Sequence, residues 1–245
     1  MRALLAGLAL VAAAATAWAG SPLVNEFQAF STRYNENPKK IDELKAGLEK
    51  AAESQATDVD TLLALAQVCF MYGDVSATTE DEKRAAYDRG RQAAKRAIEL
   101  APRSAPAQFW YGTNTGRWGQ TMGIMRSLFL LPTVKEAMQA AIAIDPAYAP
   151  AYALGGSIYS EVPSYAGGDL DRSEAMFRKG LELDPRYTNM RLGLARTLLK
   201  KGRNADARRE LEAVLGEKAP SNPADWAVKD VPQAKAILAT LGDRS

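Results

Sequence analysis

The chain has 245 residues, 47% of them hydrophobic, and its 31 basic residues nearly balance its 29 acidic ones. That balance gives no footprint for nucleic acid or an anionic membrane. With no histidine and a single cysteine, Cys69, the chain lacks the commonest general base and metal ligand, and no intramolecular disulfide can form.

Residues 1–19 read as a cleavable signal peptide. Arg2 supplies the positive start, Ala3 to Ala15 an uncharged apolar run, and Ala17-Trp18-Ala19 a small-x-small cleavage site before Gly20. The run is shorter than the roughly 20 residues a spanning helix needs. Lipidation would need a cysteine where Gly20 stands. No later stretch reads as long enough to span a membrane, so the mature chain is expected to be periplasmic or secreted and soluble.

Residues 20–57 read as a helical pair, Leu23 to Tyr34 and Pro38 to Ala52, with Ile41, Leu44 and Leu48 on one apolar face. Cys69 falls in the apolar run Leu62 to Met71 and is expected to be a buried small hydrophobe. Near-identical helix stops then recur at Ala101-Pro102, Asp145-Pro146 and Asp184-Pro185, with a degenerate one at Ala219-Pro220. They divide residues 58–220 into four two-helix units, 58–102, 103–146, 147–185 and 186–220, and leave 221–245 as a capping helix. Small residues midway along each first helix allow close packing, as at Ala66, Gly112, Gly155-Gly156 and Ala195. Gly73 and Gly202 are expected in the turns that end first helices.

These positions resemble the tetratricopeptide repeat, whose pattern of large, Leu-Gly, Tyr, Ala, aromatic, Ala and Pro residues every unit meets in part. The resemblance implies an all-α fold, a right-handed α-α superhelix. The stops lie 44, 39 and then close to 34 residues apart, so insertions of about ten and five residues fall in the middle repeats.

The first insertion follows Phe109-Trp110-Tyr111-Gly112 and includes Ile124 to Leu131, whose one charge is Arg126. Phe109 and Tyr111 are expected in the core. For Trp110, Asn114, Arg117 and Trp118, packing and partner binding both stay open. The apolar stretch with Arg126 and Phe129 is expected to be buried rather than to form a docking surface. In the second insertion Gly167-Gly168 make a turn and Asp169 caps the helix from Leu170. The inner face of a tetratricopeptide solenoid would present Leu63, Gln67 and Phe70, then Phe109, Thr113 and Arg117, then Ala153 and Ser157, then Leu192 and Arg196. It lacks the Lys and Asn set with which chaperone-binding members clamp a terminal carboxylate.

The aromatic helix at 109–117, Asp145-Pro146-Ala147-Tyr148 and the turn from Pro163 to Asp169 are similar to the periplasmic T component of TRAP transporters. That resemblance implies a repeat protein that forms homo-oligomers and pairs with a solute-binding subunit. The chain is therefore expected to be an exported, non-catalytic scaffold for a protein partner. The alternative is a carrier of a small apolar ligand in a channel ringed by Trp110, Trp118, Phe129 and Tyr152. No cofactor motif and no G-x-S-x-G, G-x-G-x-x-G or P-loop is present. An enzyme working through Glu161 and Asp169 has no motif behind it.

Overall fold

The computed structural model describes residues 21–54 and 57–242. The signal-peptide reading of residues 1–19 lies outside them. Among the described residues all regular structure is helical. The order is α1 (Pro22–Ser31), α2 (Lys40–Ser54), α3 (Val59–Val75), α4 (Glu80–Leu100), α5 (Ala105–Gln120), α6 (Ile124–Ile144), α7 (Ala149–Glu161), α8 (Leu170–Leu183), α9 (Thr188–Lys200) and α10 (Asn204–Gly216). A single turn, α11 (Pro223–Asp225), then runs through a π-turn at Trp226–Asp230 into α12 (Val231–Gly242).

Local chemistry sets the ends of these helices. The Asp58 carboxylate accepts the amide of Asp60, Thr79 and Glu82 form a reciprocal capping box, and Asp169 accepts the amides of Asp171 and Arg172. At the other end, α4, α6 and α8 each stop two residues before Pro102, Pro146 and Pro185. A proline disfavours helical backbone in the residue before it and cannot donate to the ladder. The three recurring stops therefore mark real helix ends. Gly202, with φ +74°, makes the tight turn from α9 to α10.

Successive helices pack as antiparallel hairpins, and the first helices α3, α5, α7 and α9 also touch in succession. The result is an all-α superhelical repeat fold. Packing is close where a second helix inserts a ring between two first helices. Phe177 of α8 lies against Gly156 of α7 and Gly193 of α9, and a Cβ on either glycine would come within 2.7 Å of the ring. Gly73 works in the same way, which corrects its placement in a turn. It is buried inside α3, where a Cβ would stand 2.4 Å from the Tyr87 ring of α4.

The extra residues of the first insertion form no loop. They lengthen the hairpin: α5 and α6 run 16 and 21 residues, against 13 and 13 for α9 and α10. The longer α6 is apolar and long enough to cross a membrane by length and composition, contrary to expectation. In this fold its C-terminal half is packed in, with Val134, Ala137, Met138 and Ala141 buried. Its N-terminal third is not buried, which corrects the expectation for Ile124 to Leu131. Ile124, Met125 and Phe129 are 65%, 77% and 72% exposed, and Met122 before them is 41% exposed. The side of this segment that is covered lies on α5, where Gly119 faces Ser127 and Leu130. The second insertion is a loop, with a 3-10 turn at Ser164–Ala166 and Gly167 at φ +90°.

Candidate functional site

The α5 residues singled out from the sequence are tied into the fold. Asn114 is fully buried and donates from Nδ2 to the carbonyl oxygens of Ala66 (3.1 Å) and Trp110 (3.0 Å). It joins α5 to α3 instead of facing a ligand. The Arg117 guanidinium pairs with Asp74 of α3 and donates to Tyr87 Oη of α4 at 3.3 Å. Tyr87 in turn donates to Asp74 at 2.7 Å. Burial and the adjacent Asp74 carboxylate push the Tyr87 phenol up. Trp110 packs against Phe70 and Phe109, with ring centroids 5.6 and 4.9 Å away. Phe109 is buried, and Tyr111 packs half-buried against the N-terminal core.

The four aromatic residues proposed to ring a channel do not converge. Trp118 is stacked between the guanidinium groups of Arg91 (4.6 Å) and Arg126 (5.3 Å). Phe129 is exposed on α6, with Arg126 5.6 Å from its centroid. Tyr152 is buried on α7 and donates from its hydroxyl to the Pro146 carbonyl at 2.9 Å. The carrier reading loses its channel because these side chains serve three separate environments.

The first-helix side of the solenoid is instead crossed by the protein's own C-terminal segment. The Ala224 amide donates to the Thr32 carbonyl at 3.0 Å, and Ala224 packs into the N-terminal core with Phe27 and Trp110. Tyr34 donates to Asp225 Oδ1 at 2.7 Å, a bond spanning 191 residues of sequence. Lys229 lies 2.8 Å from Asp225, 3.9 Å from Asp74 and 5.5 Å from the centre of the Tyr34 ring. Asp230 is fully buried and accepts from Thr188 Oγ1 (2.7 Å) and Asn189 Nδ2 (3.3 Å) at the start of α9. Burial pushes its carboxyl above the ordinary range, against those two hydrogen bonds. Trp226 donates from Nε1 to the Val214 carbonyl at 2.8 Å. Residues 222–230 are thus a strap that ties α1 and α3 to α9 and α10.

Two of the predicted surface residues do meet. Ser157 of α7 and Arg196 of α9 line a cleft of about 390 Å³, which α12 closes with Ile237 and Thr240. Asn189 and Lys200 of α9 and Glu161 of α7 also face it. Both cations have neutral partners: Arg196 donates to Gln233 Oε1, and Lys200 donates to the Ser160 carbonyl. The sequence reading missed Asn189, Lys200 and the α12 residues. Asn189 and Lys200 lie near the two ends of α9, and the α12 residues reach the cleft because α12 packs on α10. Cys69 is buried and its thiol is pushed up to about 12 by burial, so the thiolate is suppressed at neutral pH. Among the described residues no group of three or more Cys, Asp or Glu side chains is placed to hold a metal ion.

Comparison with known proteins agrees with this architecture. Residues 164–229 match the tetratricopeptide repeat. The fold is similar to a thermophilic TPR protein of Thermus thermophilus, at a TM-score of 0.67 and 20% identity, over 88% of this chain and 99% of that one. It is also similar to pilF of Pseudomonas aeruginosa, at a TM-score of 0.54 and 16% identity, over 91% of this chain and 88% of that one. At those identities the likeness concerns the fold alone. Repeat arrays of this class are in general non-catalytic scaffolds for protein binding. Among curated proteins, the cattle (Bos taurus) regulator of microtubule dynamics protein 1 is 26% identical over 162 residues, 60% of this chain and 51% of that protein. The chain thus spans about half the length of that relative. The model of the family described as regulator of microtubule dynamics protein 1-3 matches residues 24–164, more than half of the chain, and the chain belongs to that family.

Proposed function

We propose that the protein is a non-catalytic scaffold whose cleft between α7, α9 and α12 receives an acidic segment of a partner protein. The observation that carries this reading is the state of Arg196 and Lys200. Both face the cleft, and both are paired with neutral oxygens instead of carboxylates. A partner carboxylate would form charge-assisted hydrogen bonds there at little reorganisation. Glu161 and the apolar Ile237 and Leu199 favour a segment that alternates acidic and apolar residues over a polyanion. The strap supports the same choice of surface, because it already occupies the first-helix side near α1 and α3.

Fluorescence anisotropy with labelled acidic-apolar peptides tests this directly. The Arg196→Glu and Lys200→Glu variants should each weaken binding by about tenfold or more, consistent with roughly 1.5–3 kcal/mol for a hydrogen bond to a charged group. Equal affinity in both variants and the parent would overturn the reading.

Export is part of the proposal and rests on residues 1–19 alone. Cell fractionation with N-terminal sequencing should find a chain beginning at Gly20 outside the cytoplasm. A solute-binding subunit of a TRAP importer as the partner rests only on the resemblance carried by residues 105–200. The cattle relative is by name a regulator of microtubule dynamics. This chain shares about half of that protein, so no microtubule target is assigned to the cleft.

A further inference from the structure

The overhanging tip of the α5–α6 hairpin is the surface that the scaffold reading leaves unused. It gathers Met122, Ile124, Met125 and Phe129, all largely exposed, over about two helical turns. Behind this apolar cap sits a cationic and aromatic collar. Trp118 lies between the guanidinium groups of Arg91 and Arg126, and Arg126 also covers the Phe129 ring. Arg126 forms no ion pair with a carboxylate among the described residues.

The near-neutral charge of the whole chain conceals how uneven its distribution is. Residues 100–135 contain no Asp or Glu, yet they carry Arg103, Arg117, Arg126 and Lys135. Arg117 is neutralised by Asp74 and Arg91 by Asp88, so Arg126 is the unneutralised charge nearest the cap.

We propose that this tip inserts shallowly into an anionic lipid bilayer, with Ile124, Met125 and Phe129 entering the acyl boundary and Arg126 and Trp118 seated among the headgroups. Three observations favour lipid over a protein partner. Flexible methionines and an isolated phenyl ring suit a fluid apolar medium. Within residues 122–129 Arg126 is the one side-chain donor left free for the polar rim of a protein interface, since Ser127 is already bonded to the Gly123 carbonyl. Tryptophan beside an arginine that forms no ion pair among the described residues matches the composition of the membrane interface.

The test uses the full chain with a polarity-sensitive dye at Met125→Cys, because Cys69 is buried and does not compete for label. A control dye at Glu212→Cys on α10 reports any binding driven by other parts of the chain. With vesicles of phosphatidylglycerol and phosphatidylcholine, the dye at position 125 should shift to the blue and the dye at 212 should not. Adding Ile124→Ser and Phe129→Ser should weaken the response at position 125 by about tenfold or more, and Arg126→Glu should remove the preference over pure phosphatidylcholine vesicles. These positions are exposed, so circular dichroism should show the variants folded. A dye at 125 that stays in water with anionic vesicles would overturn the proposal. So would a shift that appears without lipid and grows with protein concentration, which would indicate a second copy. Arg196→Glu should leave the lipid response intact, so this surface and the cleft stand or fall separately.

Discussion

Phe177 and Phe129 sit on the second helices of neighbouring hairpins, and the solenoid uses them in opposite ways. Phe177 on α8 is 2% exposed and fills the space left by Gly156 and Gly193. Phe129 on α6 is 72% exposed and has a guanidinium over its ring. The hairpins around Phe177 are close to regular repeat length and are bound on both sides. The α5–α6 hairpin is longer than its neighbour α7–α8, and Ile124, Met125 and Phe129 at its tip are left exposed. A large apolar side chain in a unit of regular length is consumed by the core, and one is left exposed where a unit outgrows the next.

The sharpest way to break this contrast is to truncate both rings. Phe177→Ala should destabilise the protein by about 4 kcal/mol, because it removes a buried ring between two glycines that cannot fill the gap. Phe129→Ala should change stability by less than about 0.5 kcal/mol. Chemical denaturation of the two variants compares them directly, and similar losses would contradict the assignment of core and overhang.

A smaller effect is expected at the strap. Tyr34→Phe removes the hydroxyl that donates to Asp225 and should cost about 1 kcal/mol. Its more telling signature is local: amide exchange should quicken at residues 222–230 and not in α8 or α10. Uniform exchange changes would show that the segment is an ordinary part of the core.

A separate effect is one of pH and belongs to the regular region. Glu174 on α8 accepts from Arg178 Nε (2.9 Å), Lys201 Nζ (2.6 Å) and Arg203 Nη1 (2.8 Å). Burial works against its charge, but these hydrogen bonds outweigh it and hold the carboxyl at about 2. A carboxyl lowered on folding stabilises the native state above its unfolded pKa, about 4.3 for a glutamate. That contribution should drain away as pH falls from about 5 towards about 2. Glu174→Gln should be less stable at neutral pH and should lose part of this acid dependence. An unchanged slope between those limits would place the acid sensitivity elsewhere.

The features that could be read from sequence are those decided within a few residues. Pro102, Pro146 and Pro185 each act on the residue just before them to end a helix, and Asp169 caps α8 with amides two and three residues away. The features that could not be read are decided across the chain. For Asn114 the sequence leaves packing and partner binding open, and its partner is the Ala66 carbonyl on another repeat. Arg117 is open in the same way, because its partner Asp74 lies 43 residues before it. The turn at Asn222-Pro223 could be read as a turn, but its contact with Thr32 and Tyr34 depends on the superhelix bringing the two ends together. Gly73 was misplaced for a related reason: a glycine that admits a ring from the next helix and a glycine that ends a helix are the same letter in a sequence.

The central claim is that partner binding resides in the cleft of α7, α9 and α12. The most direct measurement is photo-crosslinking in living cells from a reactive residue placed at Ser157, compared with one at Glu212 on α10. The account predicts that Ser157 crosslinks an acidic segment of one protein and that Arg196→Glu abolishes the product, while Glu212 gives none. Equal products from both positions, or a Ser157 product that survives Arg196→Glu, would contradict it.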